Sequence, residues 1–429
     1  MADLTLVQFK YNDMAPAGAL YLACGLEKEG VDFDLKLYPV VNIDPDRLYS
    51  FLNNSEKILA IGCMTDMLPY LMVSLQKIKK RFPQKTIILG GTGPAPSAEI
   101  ILKRFDFIDF IIKGDGTFAL PSLIKAIKNR EAEFSDIRGL VYRNKGKIVS
   151  NPYDLYPNNR ISPAYHRIKP GEYDEYTVNT SWGCPHNCTF CDSRPMVGRK
   201  IEYRDLSDII EQIKLIKKLL KRKDIIIHIA DEAFLENRGR VVRFCYLLKK
   251  DKINIRWTCY GRIDRADKDL LEIMSGTGCS KIYYGVESGS NRILEKIKKG
   301  STIEQAIEIL ILSKKYIETV IASFIFRYPF EAHRDFIQTL SAIRYLQSKN
   351  IRCHLYPLAP VSRSQIFTRY KNDLRFSSTA PCAINILSDM PKECIALIKS
   401  NKGIFYNYFY YHPPELPEIM RAFYKFQSY

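Results

Sequence analysis

The sequence has no hydrophobic run that approaches the roughly 20 residues needed to cross a bilayer. It also has no basic segment followed by an apolar stretch at its start, where residues 4–9 instead have the pattern of a strand. These absences predict a protein without a transmembrane segment and with a cytoplasmic location.

Histidine and cysteine are scarce in the first third of the chain. All six histidines lie beyond residue 150, and only two of the eleven cysteines, Cys24 and Cys63, lie before it. An odd number of cysteines in a chain of 429 residues without a secretion signal favours reduced thiols over a disulfide framework. The cysteines concentrate at one point instead, where Cys184, Cys188 and Cys191 lie close together.

The composition is that of a globular chain. Hydrophobic residues make up 46% and charged residues 26%, which excludes a disordered protein, a collagen and a small disulfide scaffold. The length predicts two or three domains. The net charge is +17, most of it in residues 151–429. A basic surface can attract nucleic acid, lipid, an acidic protein or an anionic substrate, but solvated helix faces are the favoured explanation of the charge.

Residues 1–137 alternate short apolar runs with amphipathic stretches, which predicts a doubly wound, flavodoxin-like α/β domain. Ligands bind such sheets in the loops that follow the strands. Three of these loops are distinctive, two of them for their glycines, which allow close approach to a large flat or phosphate-bearing ligand but also serve tight turns. The expected strands are 4–9, 34–40, 58–64, 86–91 and 107–114, the helices 17–29, 70–81, 97–105 and 118–128, and the loops 64–68, 90–96 and 114–117.

The rest of the chain divides into three parts. Residues 138–175 are expected to form a hairpin, at 138–150, and a linker. Residues 176–360 repeat the strand–helix pattern six times, which predicts a partial (β/α)6 barrel with its chemistry at the C-terminal ends of the strands. Residues 361–429 are rich in tyrosine and phenylalanine and are expected to form a small helical C-terminal region on the barrel mouth. The expected barrel strands are 176–182, 224–230, 254–262, 281–286, 319–326 and 352–358.

The motif Cys184-Pro-His-Asn-Cys188-Thr-Phe-Cys191 follows the first expected barrel strand. Three thiolates this close bind an iron–sulfur cluster or zinc. Structural zinc normally takes four ligands, and no fourth cysteine or histidine at zinc spacing follows Cys191. A cubane cluster held by three thiolates leaves one iron free to bind a cofactor. The motif therefore favours a cluster with a chemical role.

This spacing, with Phe190 before the third cysteine, resembles the radical S-adenosylmethionine (AdoMet) superfamily. The segments that strengthen the resemblance are 179–185, 231–234, 261–264 and 284–290. Residues 1–137 resemble the cobalamin-binding domain of the superfamily's class B methylases. The motifs that carry this second resemblance are Pro16-Ala-Gly18, Gly90-Gly91 with Pro94, and Gly114-Asp-Gly116. The chain departs from the family where bulky residues at 326–331 replace a Gly-x-Pro-Gly-Glu motif, and where Ser362-Arg-Ser364 replaces Pro-Gly-Thr. The commonest relatives therefore do not reveal the substrate.

The resemblance implies three cofactors, a [4Fe–4S] cluster, AdoMet and cobalamin. It implies cluster ligation by Cys184, Cys188 and Cys191, and AdoMet contacts by the Phe190 backbone and by Arg262, Glu287 and Ser288. The cobalamin contacts that it implies are Met64, Thr65, Asp66, Gly90, Gly91, Thr92, Gly93, Gly114 and Gly116. Simpler interpretations are an ion pair between Arg262 and Glu287 at the barrel rim, and rim positions only for Asp231 and Glu232.

The missing histidines bear on this resemblance. With no imidazole before residue 150, the first domain would bind cobalamin without a histidine on cobalt. The lower face of cobalt would then meet the loop 64–68 or stay unligated. Weak lower ligation favours transfer of a methyl group.

The implied activity is cobalamin-dependent radical AdoMet C-methylation of an unactivated carbon, through a 5′-deoxyadenosyl radical and methylcobalamin. The expected partners are an electron donor such as flavodoxin or ferredoxin and a substrate that is an anionic small molecule, a peptide or a protein side chain, with no specific nucleic-acid binding. A related enzyme that rearranges, cyclises or oxidises without methylating is the main alternative, and an iron–sulfur regulator a remote one. A methylthiotransferase needs a second cluster, and two cysteines before residue 150 do not provide it.

Overall fold

The computed structural model describes residues 2–10, 14–40, 43–129, 133–153, 162–169, 171–193, 198–220, 225–377 and 390–427. The chain divides into two compact units. Unit 1 comprises Met1–Tyr173 and Asn385–Tyr406, and unit 2 comprises Asp174–Ile384 and Asn407–Tyr429. Part of the expected linker, at 154–161 and 170, lies outside the described residues.

Unit 1 is built on a seven-stranded sheet in the order β2-β1-β3-β4-β5-β6-β7. The first five strands of this order are parallel, and β6 and β7 are antiparallel. The order 2-1-3-4-5 is that of flavodoxin, so the predicted doubly wound sheet is confirmed. The strands are Leu4–Lys10 (β1), Phe33–Pro39 (β2), Ile58–Gly62 (β3), Thr86–Gly90 (β4), Phe110–Ile112 (β5), Leu140–Asn144 (β6) and Lys147–Ser150 (β7).

The helices of unit 1 follow the expected pattern with one addition. A short helix at Pro45–Asn53 (α2) stands where the sequence analysis expects no element. It begins with proline and is capped by the Asp44 carboxylate, which accepts hydrogen bonds from two backbone N–H groups. The other helices between the strands are Ala17–Lys28 (α1), Leu68–Arg81 (α3), Ala98–Arg104 (α4) and Gly116–Lys128 (α5).

The expected hairpin is an extension of this sheet. Strands β6 and β7 are joined by Lys145 and Gly146, which both have positive φ angles, as a two-residue type I′ turn requires. Because β6 pairs with β5, the hairpin continues the sheet of unit 1.

Unit 2 contains a six-stranded sheet in the order β15-β14-β13-β12-β11-β8, with every neighbouring pair parallel. The sheet is open, with β8 and β15 at its edges, so the predicted partial (β/α)6 barrel is confirmed. A short antiparallel ribbon, Ser181–Trp182 (β9) with Glu202–Tyr203 (β10), follows the first strand. The sheet strands are Glu175–Val178 (β8), Ile226–Ile229 (β11), Arg256–Gly261 (β12), Cys279–Glu287 (β13), Thr319–Phe326 (β14) and Arg352–Pro357 (β15).

Helices connect the strands of this sheet and cover one of its faces. On that face the strands present fully buried side chains, such as Trp257, Tyr284 and Phe326. The described helices up to the last strand are Leu206–Leu220 (α6), Arg238–Lys250 (α7), Lys268–Ser275 (α8), Asn291–Lys296 (α9), Ile303–Tyr316 (α10) and His333–Ser348 (α11).

The C-terminal part of the chain is shared between the units, whereas the sequence analysis treats 361–429 as one region. Helix Lys392–Ser400 (α13) packs on α3 of unit 1 through its buried Cys394 and Ile398. Helices Gln365–Tyr370 (α12) and Leu416–Gln427 (α14) belong to unit 2, where Phe423 of α14 stacks on Phe326 at a centroid distance of 4.8 Å. The aromatic side chains are therefore used as core in both units.

Candidate functional site

The three clustered cysteines lie in a loop at the carboxyl end of β8, which we call the cysteine loop (184–191). The loop is entered through Gly183, whose φ is +101°. A Cβ at this position would lie 2.1 Å from the carbonyl oxygen of Lys200, so only glycine fits the entry. The place is the one that the sequence predicts, because ligands of parallel sheets lie where strands end.

A buried carboxylate anchors the segment that leads into the loop. Asp231, at the end of β11, accepts hydrogen bonds from the Thr180 N–H, the Thr180 hydroxyl and the Ser181 hydroxyl, each at 2.6 Å. Asp231 is completely buried, and desolvation raises the pKa of its carboxyl group. The interpretation of Asp231 as a polar rim residue is therefore wrong, because its side chain points into the protein and fixes the cluster entry.

Two backbone hydrogen bonds hold the far part of the cysteine loop. The N–H of Thr189 donates to the Ile297 carbonyl, and the Thr189 carbonyl accepts from the Ile366 N–H, both at 3.0 Å. His186 within the loop lies 2.8 Å from the Glu236 carboxylate, which also accepts from Arg265 at 2.9 Å. The loop is thus attached to several separate segments of unit 2.

The donor set of the cysteine loop fits an iron–sulfur cluster. All three thiols are free and partly exposed. Burial raises the pKa of the Cys184 and Cys191 thiols, and the other loop thiols add to this effect, so bound metal must compensate the thiolate charges. Among the described residues no three His, Cys, Asp or Glu side chains are placed to hold a single metal ion. A cubane has a different requirement, because each cysteine binds its own iron.

Arg262 provides a positive charge beside the cysteine loop. Its Nη1 lies 3.8 Å from the Cys188 sulfur, while its other nitrogens pair with Asp264 at 2.9 Å and donate to the Lys299 carbonyl at 2.7 Å. This arrangement keeps the pKa of the Arg262 guanidinium above its ordinary value against the effect of burial. A positive group at this position stabilises negatively charged sulfur ligands.

Glu287 does not pair with Arg262, so the direct ion pair considered from the sequence is wrong. Its carboxylate accepts from Lys299 Nζ at 2.9 Å, and both side chains are mostly buried. Glu287 also has a φ of +76°, which is strained for a non-glycine residue. Arg262 and Glu287 are linked through Lys299, whose carbonyl and ammonium groups contact one each. No pattern in the sequence assigns a role to Lys299.

The other two residues predicted to contact AdoMet have clear packing roles. The Ser288 side chain is completely buried, lies 3.3 Å from the Thr339 hydroxyl and accepts from the Ser290 N–H. The Phe190 ring makes an edge contact with Tyr328, with centroids 6.4 Å apart. Their contacts with AdoMet stay predictions, as do those of Arg262 and Glu287.

Glu232 is the most chemically distinctive carboxylate near the cysteine loop. It follows Asp231 at the carboxyl end of β11, and desolvation raises its pKa to about 7. One of its carboxylate oxygens is buried without a hydrogen-bond partner. Such a group can gain or lose a proton near neutral pH.

In unit 1 the glycine loops pack tightly against one another. A Cβ on Gly91 would lie 2.6 Å from the Cys63 carbonyl oxygen, and one on Gly93 would lie 2.7 Å from the Met64 backbone. Gly91 and Gly114 have φ angles of +90° and +75°. Loop packing alone explains these glycines. The predicted cobalamin contacts of this region, which are Met64, Thr65, Asp66, Gly90, Gly91, Thr92, Gly93, Gly114 and Gly116, stay predictions.

Three large apolar side chains are exposed at this edge of the unit 1 sheet. Met14, Met64 and Phe118 follow β1, β3 and β5, and their exposed fractions are 39%, 47% and 40%. Of these three residues, only Met64 is among the cobalamin contacts predicted from the sequence. Exposed apolar groups at the ligand-binding edge of a doubly wound sheet are typical of a ligand surface.

Unit 1 contains one histidine, His166, which lies beyond the 1–137 boundary used in the sequence analysis. Its Nε2 lies 2.9 Å from the Glu27 carboxylate. Glu27 is in the last turn of α1, which runs from the carboxyl edge of the sheet toward its amino edge. His166 is therefore at the opposite edge from the loops expected to bind cobalamin.

Comparison with known proteins assigns the second unit. Residues 178–355 match the model of the radical SAM superfamily. The chain carries a radical SAM domain. Such a domain implies the [4Fe–4S] cluster and AdoMet, in agreement with the cysteine loop. No helix in the described parts of the chain has the length and apolar character to span a membrane.

Curated relatives extend across both units. An uncharacterised methyltransferase of Pyrococcus horikoshii is 26% identical over 77% of this chain and 73% of its own length. A putative methylthiotransferase of Methanocaldococcus jannaschii is 28% identical over 62% of this chain and 58% of its own length. An anaerobic magnesium-protoporphyrin IX monomethyl ester cyclase of Synechocystis is 24% identical over 64% of this chain and 56% of its own length. The chain thus spans little more than half of the last two.

Solved structures share the complete two-unit fold. The radical AdoMet methyltransferase TsrM from Kitasatospora setae, determined with tryptophan and an AdoMet analogue, has a TM-score of 0.73 at 14% identity. The match covers 99% of this chain and 88% of the TsrM chain. The cobalamin-dependent radical AdoMet enzyme OxsB, determined with aqua-cobalamin and AdoMet, has a TM-score of 0.63 at 18% identity. The match covers 94% of this chain and 56% of the OxsB chain. The chain therefore shares the fold of these two enzymes.

Proposed function

We propose that this protein is a cobalamin-dependent radical AdoMet methyltransferase that methylates an unactivated carbon. The observation that carries the proposal is the presence, in one chain, of the cysteine loop at the end of β8 and a flavodoxin-order sheet with an exposed apolar edge. Methylation with hydrogen abstraction needs two cofactor sites, because AdoMet cannot serve as methyl donor and radical source in the same step.

For the first unit, the proposal assigns cobalamin to the carboxyl edge of the sheet. The exposed side chains of Met14, Met64 and Phe118 offer apolar surface to a large flat ring. The tightly packed loop around Gly91 and Gly93 brings backbone, without side-chain bulk, to the same edge. His166 is engaged with Glu27 at the other edge, so we propose that no imidazole of unit 1 reaches cobalt.

For the second unit, bound cluster and AdoMet would supply a 5′-deoxyadenosyl radical, and the protein would supply binding and positioning. Arg262 holds a positive charge against Cys188 and is fixed by Asp264 and the Lys299 carbonyl. The buried pair of Glu287 and Lys299 lies beside it and offers polar groups for the amino-acid or ribose part of AdoMet. Glu232, with a pKa near neutrality, follows Asp231 at the end of β11 and offers a carboxyl group that can hold a proton near neutral pH.

The two half-reactions can be tested without the natural substrate. Full-length protein, reconstituted anaerobically with iron, sulfide and cobalamin, should convert AdoMet into 5′-deoxyadenosine under reducing conditions. It should also form S-adenosylhomocysteine as cobalamin becomes methylated. Loss of the first product in a triple Cys→Ala variant of the cysteine loop, with the second retained, would assign the two products to separate sites. Absence of S-adenosylhomocysteine in the wild type would contradict methyl transfer.

A second candidate is a cobalamin-containing radical enzyme that cyclises, rearranges or oxidises its substrate. The similarity to the Synechocystis cyclase favours it. This enzyme would produce 5′-deoxyadenosine without S-adenosylhomocysteine, so the same product measurement separates the two candidates.

A further inference from the structure

The uncovered face of the unit 2 sheet differs sharply from the face that the helices cover. Along β12, Trp257 and Cys259 point to the helices and are fully buried, while Tyr260, on the other face, is 44% exposed. Along β15, Cys353 points to α11, while Tyr356 is 47% exposed. Parallel sheets normally bury apolar residues on both faces. The uncovered face is therefore partly open, with the exposed Tyr260 and Tyr356 beside buried neighbours such as His228 and Ser323.

Five rings on this face form a continuous row across the sheet, which we call the ring row: His228, Tyr260, Tyr283, His354 and Tyr356. Consecutive centroids lie 5.0, 5.6, 5.8 and 5.8 Å apart, and every contact is edge-to-face. Tyr283 and His354 meet across β14, where the small Ser323 pairs in register with His354 and lies diagonal to Tyr283. A row of this kind in the open centre of a sheet is not needed to fill a core.

The ring row lies next to the proposed AdoMet contacts. Tyr260 precedes Arg262 by two residues, which is about 7 Å along a strand. Tyr283 precedes Glu287 on β13, and Gly285 lies between them. The Glu287 carboxylate occupies the space that a Cβ on Gly285 would need. A substrate on the row would therefore lie beside the group that abstracts hydrogen.

The charged groups beside His228 offset one another, whereas the exposed Arg352 lies at the other end of the row, two residues before His354 on β15. Lys281 Nζ lies 3.9 Å from Glu175, and the same carboxylate lies 3.5 Å from His228 Nδ1. Burial lowers the pKa of His228, so its ring is neutral at neutral pH. The acid and the base offset each other at this end of the row, where ring faces, ring edges and hydroxyl groups are the recognition elements.

We infer that the ring row binds a planar aromatic or conjugated ring system of the substrate. Aromatic rings favour edge-to-face and offset stacking at centroid distances of 4.5–7 Å, and the row already uses this geometry between its members. A planar guest against Tyr260 and Tyr356 continues the pattern, whereas a saturated ring gains only apolar contact. This inference rests on the proposed function for the position of AdoMet, and it adds a planar aromatic ring to the features expected of the substrate.

The test compares 2-naphthol with decahydro-2-naphthol, which has the same skeleton and hydroxyl group without the aromatic rings. Binding to anaerobically reconstituted full-length protein with AdoMet is measured by saturation-transfer NMR titration. We expect 2-naphthol to bind at least fivefold more tightly. Tyr260→Leu and Tyr356→Leu should each weaken it at least fivefold, and Tyr260→Phe less than twofold, because the ring remains. Methyl glucoside should not bind.

Tyr246→Leu is the matched control, because Tyr246 is a similarly exposed tyrosine of the same unit, on α7 and outside the ring row. It should leave 2-naphthol binding unchanged. Equal binding of the two alcohols, equal loss in the control, or competition by the glucoside would overturn the inference. Formation of 5′-deoxyadenosine without substrate, measured in parallel, should persist in the Tyr246→Leu control. Its absence in the wild type would reject the proposed function without affecting the comparison of the two alcohols.

Discussion

Removal of the Asp231 carboxylate should destabilise unit 2 and prevent cluster assembly. In Asp231→Ala, the buried Thr180 N–H and the hydroxyls of Thr180 and Ser181 lose their acceptor. Each unsatisfied buried group costs about 1–3 kcal/mol. Loss of the carboxylate also removes its own desolvation cost, which the raised pKa reveals. We therefore expect a net loss of about 2–4 kcal/mol in the free energy of unfolding.

Urea unfolding of the cluster-free protein measures this loss, and iron content with visible absorbance measures cluster assembly. Asp231→Asn keeps one acceptor oxygen and should be affected about half as much. Asp267→Ala is the control, because Asp267 is an exposed aspartate that caps α8 and should cost only about 1 kcal/mol without loss of iron. If Asp231→Ala assembled a full cluster and unfolded like the control, the anchoring role of Asp231 would be refuted.

Four further outcomes are expected. A triple Cys→Ala variant of the cysteine loop should unfold like the wild type by urea titration but bind no iron. Gly183→Ala should lower the free energy of unfolding by at least about 2 kcal/mol and lose most of the iron, because of the positive φ at this position and the close Lys200 carbonyl. Its control is Gly239→Ala in α7, where a Cβ meets only an ordinary contact and no loss of stability or iron is expected. Burial raises the pKa of Glu331 to about 8, so the folded protein keeps a proton that the unfolded chain releases. The free energy of unfolding should therefore fall as the pH rises from 5 to 8. In urea titrations at several pH values, Glu331→Gln should reduce this fall by at least about 1 kcal/mol. Paramagnetic resonance of the cob(II)alamin form should show no nitrogen splitting from an axial imidazole, and such splitting would contradict the proposed site in unit 1.

The sequence predicts the strands well because parallel strands that are buried in a sheet leave strong apolar runs. Strand β3, with all five residues buried, is an example. Helix α2 is missed because only three of its nine residues are buried, so its apolar pattern is weak. Its signal is local, since Asp44 followed by Pro45 is a typical start of a helix.

The cysteine loop is visible from spacing alone, but its supports are not. Asp231 and Thr180 are 51 residues apart, and no pattern in either segment shows that they meet. The link from Arg262 through Lys299 to Glu287 likewise depends on three separate segments. The ring row is hidden for another reason, because its five members are spread over four strands and become a surface only in the register of the sheet.

The return of residues 385–406 to unit 1 has a consequence for synthesis of the chain on the ribosome. Helix α3 is made early, but α13, which packs on it, emerges more than 300 residues later. At about 5–20 residues per second, the surface of α3 waits for tens of seconds. Unit 1 therefore cannot finish folding before unit 2 is almost completely translated. Exchange of either unit between related proteins by a single junction near residue 173 would separate α13 from its partner, so such chimaeras need three junctions.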